Sequence, residues 1–195
     1  MGIITAKLRQ IRSALRQDKS RSTPADSAVI DGGRHTTADI AAPKTIRCRR
    51  ITAFSCAFSI MAYLDAPEVP PAGVYHLTAA RTGNIVNGQY RFRRHDGSGK
   101  DRIFTADTAF LDELAKIVRE GGLAQFNGIH TTVSGLPDLY GAELSVRYAS
   151  GESISAGDNQ DCFLPAGVMT ALVETFTRQI GDPTCIEQKG VSKWD

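Results

Sequence analysis

The chain lacks the cysteine and histidine spacings by which metal sites and disulfide scaffolds are recognised. Its four cysteines stand at positions 48, 56, 162 and 185, and no two of them form a Cys-x-x-Cys pair. The four histidines, at positions 35, 76, 95 and 130, are also far apart, and none is three or four residues from another. Because zinc sites draw on local Cys and His pairs, the sequence predicts no metal site, and it indicates no cofactor.

Signatures of nucleotide binding and of nucleophilic catalysis are also missing. Gly99 and Lys100 form the Gly-Lys pair of a phosphate-binding loop, but Arg94 stands where that loop begins with glycine and Asp101 where it ends with Ser or Thr. A hairpin turn explains this segment better. The chain contains no Gly-x-Ser-x-Gly elbow, so no family of serine hydrolases is indicated.

No run approaches the ~18 apolar residues needed to cross a bilayer. The most apolar stretch, residues 51–64, alternates, with Phe54, Cys56, Phe58 and Ile60 on one parity and smaller residues on the other. A period of two is typical of a half-buried strand rather than of a membrane helix or a signal peptide. The sequence therefore predicts a cytoplasmic protein without a transmembrane segment.

Charge is distributed unevenly along the chain. Residues 1–50 contain 11 Lys or Arg and 4 Asp or Glu, whereas residues 51–195 contain 12 and 17. Residues 1–17 have the spacing of an amphipathic helix whose polar side includes Lys7, Arg9, Arg12 and Arg16. Residues 18–45 are polar and predict a flexible linker. A basic arm on an acidic body indicates an anionic partner.

The remainder predicts an α+β domain at residues 46–181, followed by a polar tail at 182–195. Strands are expected at 46–64, 74–80, 85–94, 102–105, 142–148 and 152–156, and helices after Asp107 and at Pro165. Short turns between strands favour an antiparallel sheet of four to six strands with both helices on one face. Eleven residues are expected in the core: Phe54, Phe58, Ile60, Leu77, Tyr90, Phe92, Leu114, Leu144, Val146, Leu172 and Phe176.

Three short motifs precede the last helix: Phe126-Asn127-Gly128, then a strand ending in Ser150-Gly151, then Gly157-Asp158-Asn159. In their order they resemble a widespread, uncharacterised bacterial α+β domain, and the resemblance covers residues 46–181. Members of that family carry tryptophan where this chain has Phe126, and their proline before the last helix comes earlier than Pro165. The resemblance implies the α+β fold. It indicates nothing about activity, because no activity is assigned to that family.

Polar residues that could act as acids or bases lie in two loops. His130 falls in the polar stretch 126–141, and Asp158 and Asp161 fall in the loop 157–162. Loops at one end of a sheet are where catalytic sites are commonly built. A Cys162–His130 pair is a further candidate for thiol chemistry, and Arg91, Arg93, Glu143 and Arg147 are expected on an outward sheet face.

These observations favour a non-enzymatic binding or accessory module that docks through residues 1–17 on a protein or an anionic surface. One alternative is a small hydrolase-like enzyme that uses His130, Asp158 and Asp161. Another is a peripheral membrane protein held by the basic arm. Nucleic acid is a less favoured partner because the first twenty residues contain no aromatic side chain to stack on bases.

Overall fold

The structure, a computed structural model, describes residues 33–61, 70–135 and 140–181 and the backbone of 186–187. All of these belong to one compact unit, residues 31–195. The predicted basic helix, with Lys7, Arg9, Arg12 and Arg16, lies outside the described residues, as do residues 18–32 of the predicted linker and most of the tail.

Nine strands form a single sheet within the described ranges. They are β1 (Arg34–Ala38), β2 (Ile51–Ile60), β3 (Gly73–Thr82), β4 (Ile85–Arg93), β5 (Gly99–Ala106), β6 (Ile129–Val133), β7 (Ala142–Tyr148), β8 (Ser153–Asp158) and β9 (Ile186–Glu187). Their order across the sheet is β1-β6-β8-β7-β2-β3-β4-β5-β9. All neighbouring pairs are antiparallel except β6 and β8, which run parallel.

The expected antiparallel sheet of four to six strands is therefore wrong, because the sheet is larger and mixed. Strands form at the six predicted places, but β1, β6 and β9 were not predicted. β1 lies inside the stretch 18–45 expected to be a linker, and β6 lies inside the stretch 126–141 expected to be a loop. All five residues of β1 are exposed and β6 buries only Thr131, so neither carries the alternation of apolar and polar residues by which a strand is recognised.

Two helices form where the sequence predicts them. The first, α1, spans Ala109–Glu120, and the Asp107 carboxylate accepts a hydrogen bond from the Ala109 amide at its start. The second, α2, spans Ala166–Ile180 directly after Pro165. No helix in the described part of the chain is long and apolar enough to span a membrane.

Both helices lie against the same face of the sheet. Phe176 of α2 contacts Phe54 of β2 and Phe104 of β5, and Phe110 of α1 contacts Phe104 and Phe176. Gly88 of β4 lies opposite Phe104, where a Cβ atom would stand 2.2 Å from its ring. Only glycine, which has no Cβ atom, leaves room for the Phe104 ring at this position.

The core lies between the helices and this face. All eleven residues expected there from the sequence are buried, each with 7% or less of its surface exposed. The opposite face carries the alternate positions of the same strands and no helix among the described residues packs on it. That open face positions the candidate site.

Phe58→Ala should lower the free energy of unfolding by about 3–5 kcal/mol, because it leaves a cavity in a well-packed core. Phe58 is 1% exposed, and its ring stacks on Tyr75 at a centroid distance of 5.2 Å. Equilibrium unfolding in urea measures the change. Ser55→Ala, on the exposed side of the same strand, is the matched control and should change stability by less than about 0.5 kcal/mol. A loss below about 1 kcal/mol for Phe58→Ala would contradict the packing described for β2.

Candidate functional site

Strand register aligns eight residues in one row across the open face, which we call the central row. From one edge to the other it contains Thr37, His130, Gly157, Glu143, Ala57, His76, Arg91 and Asp101. The residues come from eight different strands and from widely separated parts of the chain. Successive side chains of a strand point to opposite faces of the sheet, and residues directly paired across neighbouring strands point to the same face. The residues of the central row are paired in this way, so they share one face.

A depression of about 350 Å³ lies in this row. The small residues Ala57 and Gly157 separate the longer side chains of His76, Glu143 and His130, all of which line it. A Cβ atom at Gly157 would lie 3.4 Å from His130 Nδ1 and 4.0 Å from Glu143 Cγ. The imidazole and the carboxylate side chain therefore flank the glycine from both sides.

His130 is oriented by its neighbour on β8. Its Nε2 lies 3.3 Å from Ser155 Oγ, and either atom can be the donor, depending on the tautomer of the ring. Both side chains are exposed. This contact leaves Nδ1 on the side of Gly157 and Glu143, so the ring presents its second nitrogen to the depression.

His76 is held in its neutral form. Partial burial lowers the pKa of its imidazole below the usual 6.5, the nearby Arg91 lowers it further, and Glu143 opposes both effects. Burial and a like charge both disfavour the protonated ring. At neutral pH His76 therefore offers the depression one donor and one acceptor rather than a positive charge.

The charged end of the row is already paired. Arg91 Nε and Gln89 Nε2 each donate to the Asp101 carboxylate at 2.9 Å, and Arg93 lies 4.0 Å from it. Partial burial alone would raise the pKa of Asp101, but the hydrogen bonds from Gln89 and Arg91 outweigh it and hold that pKa below its ordinary value. Asp101 is thus an ionised partner of arginine and a poor proton acceptor.

Of the three acid–base candidates from the sequence, His130 and Asp158 line the depression and Asp161 does not. Arg34 of β1 joins the two carboxylates, with its guanidinium 3.0 Å from Asp158 and 2.9 Å from Asp161. The other oxygen of Asp158 accepts the amides of Gln160 and Asp161. These bonds shape the loop after β8 and occupy both oxygens of Asp158.

The Cys162–His130 pair is not brought together. Cys162 is half-buried with its Sγ 3.7 Å from Met169 Sδ of α2, on the side that the helices cover, and burial raises the pKa of its thiol. His130 lies on the open face. Within the described ranges, no three His, Cys, Asp or Glu residues are grouped so that they could hold a metal ion.

The asparagines of the short motifs, Asn127 and Asn159, are held by hydrogen bonds to the backbone, and Asn159 also lines the depression. Buried Asn127 donates to the carbonyls of Pro43 and Ser153 at 3.0 Å and accepts the Ser155 amide at 2.8 Å. Asn159 accepts the Val133 amide at 2.8 Å and donates to the Val133 carbonyl at 3.0 Å, which extends the pairing of β6 beyond β8. Buried amides with satisfied bonds specify where these segments lie.

Sequence reasoning missed His76, Glu143 and Ser155 as members of one site. Their outward parity on β3, β7 and β8 is readable from the alternation, and Glu143 was expected on an outward face. The register that places these three residues together cannot be predicted from the sequence, because it depends on pairing between strands that are far apart along the chain.

The pKa of His76, followed by NMR titration of its ring protons, should lie below 6.5 in the native protein. Arg91→Gln should raise it because a like charge is removed, and Glu143→Gln should lower it because an opposite charge is removed. Arg178→Gln, on the helix-covered side, should leave it unchanged. Shifts of the same sign in the two test variants would contradict the arrangement described.

The same shift makes stability depend on pH. Because the native pKa is below that of the unfolded chain, the unfolded state takes up the proton first as the pH falls below 6.5. The contribution of neutral His76 to the free energy of unfolding is therefore complete above pH 6.5. It is lost as the pH falls through the pKa that His76 has in the native protein. Urea unfolding at a series of pH values below 6.5 measures this effect as the part of the pH dependence of the free energy of unfolding that the wild type shows and His76→Gln lacks.

Comparison with known proteins assigns this chain to no family. No protein-family model, no curated protein and no solved structure matches the chain. The resemblance of residues 46–181 to a bacterial α+β domain therefore stays a prediction from its three short motifs.

Proposed function

We propose that this protein is a non-enzymatic binding module whose open sheet face takes a protein partner. The observation that carries the proposal is the central row, in which small residues at the middle of the face alternate with charged and imidazole side chains. In the same proposal, the basic residues Lys7, Arg9, Arg12 and Arg16 make a second, electrostatic contact with an acidic region of that partner.

The size of the face supports a protein rather than a small ligand. Eight strands about 4.8 Å apart span about 34 Å, and three rows of outward residues add about 14 Å along the strands. This area is on the order of 500 Å² before side-chain edges are included, and a standard interface takes roughly 800 Å² from each partner. A single small molecule would fill only the depression.

The composition of the face supports the same conclusion. The row beside the central one contains Ser155, Ser145, Ser55, Thr78 and Gln89 in register. The serine and threonine side chains of this row lose little conformational entropy when a partner covers them, and Gln89 is already held by its hydrogen bond to Asp101. Arg91 on β4, with Glu143 and Arg147 on β7, provides charges of both signs on this face, which select a partner of complementary pattern.

A second contact through the basic arm would strengthen a weak, polar interface. Two linked contacts raise the apparent affinity because the second forms within one complex. The arm's share of binding is electrostatic and should decrease as salt screens it. Binding to anionic lipid instead of protein is the alternative in which the arm alone holds the molecule on a membrane.

Affinity capture from a lysate of the source cells, with bound protein identified and quantified by mass spectrometry, tests both contacts. Ser55→Arg places a long charged side chain at the middle of the face and should reduce capture of the specific partner at least about tenfold. Glu174→Arg, at another exposed position, on α2, is the matched control and should retain capture of the partner. Equal capture by both variants would exclude the open face as the binding surface.

The arm is tested in the same assay across a salt series. Replacing Arg9, Arg12 and Arg16 with Gln should remove the salt-dependent part of capture, because the helix propensity is kept and the charge is lost. The double variant Leu8→Ser, Ile11→Ser should keep the salt-dependent part of capture, because it leaves the basic residues in place. If vesicles rich in phosphatidylglycerol bind the full chain and no protein partner depends on Ser55, the membrane alternative is favoured.

A hydrolase-like activity is the second candidate, and the Ser155–His130 contact favours it. A serine becomes a nucleophile when an imidazole within hydrogen-bond reach accepts its proton. Here His130 Nε2 would take the proton of Ser155 Oγ as that oxygen attacks an acyl carbon, and the imidazolium would return it to the leaving group. Glu143, across Gly157, would stabilise the positive ring.

A fluorophosphonate probe distinguishes this candidate from simple binding. An activated Ser155 should be labelled covalently, and the label, located by peptide mass spectrometry, should disappear in Ser155→Ala and decrease about a hundredfold or more in His130→Ala. Ser145→Ala, an exposed serine on the neighbouring strand, is the control and should label normally. An unlabelled wild type would exclude serine nucleophilic catalysis at this site.

A further inference from the structure

A second cavity, of about 500 Å³, lies on the helix-covered side of the sheet, away from the central row. Its walls are the extended segment 44–49, the C-terminal half of α1 and the short 3₁₀ helix Leu123–Phe126, with β7 and β8 beneath. The helices pack over β2, β4 and β5, and the 3₁₀ helix over β8. The volume remains because an extended segment, rather than a third helix, covers this end of the sheet.

The lining of this cavity has one sign of charge. Among the described residues, four basic side chains line it, Lys44, Arg47, Arg49 and Arg119, and none of the described lining residues is a carboxylate. The floor is apolar and consists of buried Tyr148 and Ile154, and buried Val118 adds apolar surface on the α1 wall. We refer to this site as the basic cavity.

The carboxylates nearest the basic cavity are already engaged. Glu152 accepts the backbone amides of Arg47 and Cys48 at 2.9 and 3.0 Å and the Ser150 hydroxyl at 2.7 Å. These hydrogen bonds hold the pKa of Glu152 below its usual value. Glu120 lies 3.9 Å from Arg119. Lys44 donates to the carbonyl of Asn127. Among the described residues, Arg47 and Arg49 form no ion pair and Arg119 is only loosely paired with Glu120, so these guanidinium groups can donate to an anion.

From this geometry we infer that the basic cavity binds a small organic anion, with an apolar body on the floor and a carboxylate or phosphate group at the arginines. The volume lies within the range of ligand pockets, which are mostly apolar with a few polar groups that set orientation. Guanidinium groups bind carboxylate and phosphate through paired, charge-assisted hydrogen bonds. This site is independent of the proposed function, because the two lie on opposite sides of the sheet.

A second role for these cations is to complement the C-terminus of α1. Arg119 lies in its last turn, and positive charge stabilises a helix at that end. That role needs only one or two cations beside the helix. It does not account for Arg47 and Arg49 on the covering segment or for the apolar floor.

Calorimetric titration of the full chain with octyl phosphate, octanoate and octan-1-ol tests the inference. One or both anions should bind, and octan-1-ol, which has the same tail and no charge, should bind at least about tenfold more weakly. The comparison of the two anions tells whether phosphate or carboxylate is preferred. Equal affinity for alcohol and anions, or no binding up to about 1 mM, would overturn the inference and leave Arg119 with its role at the helix C-terminus only.

Two variants and a matched control locate the site. Arg119→Gln and Arg47→Gln should each weaken anion binding about tenfold or more, whereas Arg178→Gln, in the last turn of α2 and paired with Glu113, should change it less than about twofold. Backbone amide NMR shifts should move at Cys48 and Ala124 and remain unchanged at His76 and Ser155. Unaltered affinity in both test variants, or shifts confined to the open face, would contradict binding in the basic cavity.

Discussion

The packing of Phe176 is the interaction on which the rest of the structure depends. Its ring lies 6.2 Å from Phe54, 5.7 Å from Phe104 and 5.1 Å from Phe110, so one side chain of α2 joins β2, β5 and α1. Edge-to-face contacts between aromatic rings add to the stabilisation from buried area. Because these rings draw both helices to one side, the other side of the sheet keeps its polar residues uncovered.

Where the helix layer ends, hydrogen bonds replace apolar packing. Asn127 ties the segment before β2 to β8, and Asn159 extends the pairing of β6. No buried side-chain nitrogen or oxygen in the described part of the chain lacks a partner. A satisfied buried amide specifies position more strictly than an apolar contact does. The hydrogen bonds of Asn127 thus fix the segment before β2 against β8. Residues 44–49 of that segment form one wall of the basic cavity.

The two sides of the sheet thus have different chemistry. The open face presents hydrogen-bonding groups, a neutral His76 and charges of both signs, over an area on the order of 500 Å². The covered side encloses a smaller space with an apolar floor and arginines around it. A broad face of mixed polarity suits a macromolecular partner, whereas a concave, mostly apolar pocket suits a small molecule. Each site can therefore be tested without disturbing the other.

The sequence by itself determined six strands, both helices and the eleven core residues, because alternation on strands and apolar stripes on helices are local patterns. Tertiary structure alone decided that β1 and β6 are strands, that β6 pairs parallel with β8, and that His130, Glu143 and His76 lie in one row. β1 and β6 form on polar residues because neighbouring strands and the side chain of Asn159 supply their hydrogen bonds. The row exists because register is set by pairing between strands far apart in the chain, and no local pattern records that pairing.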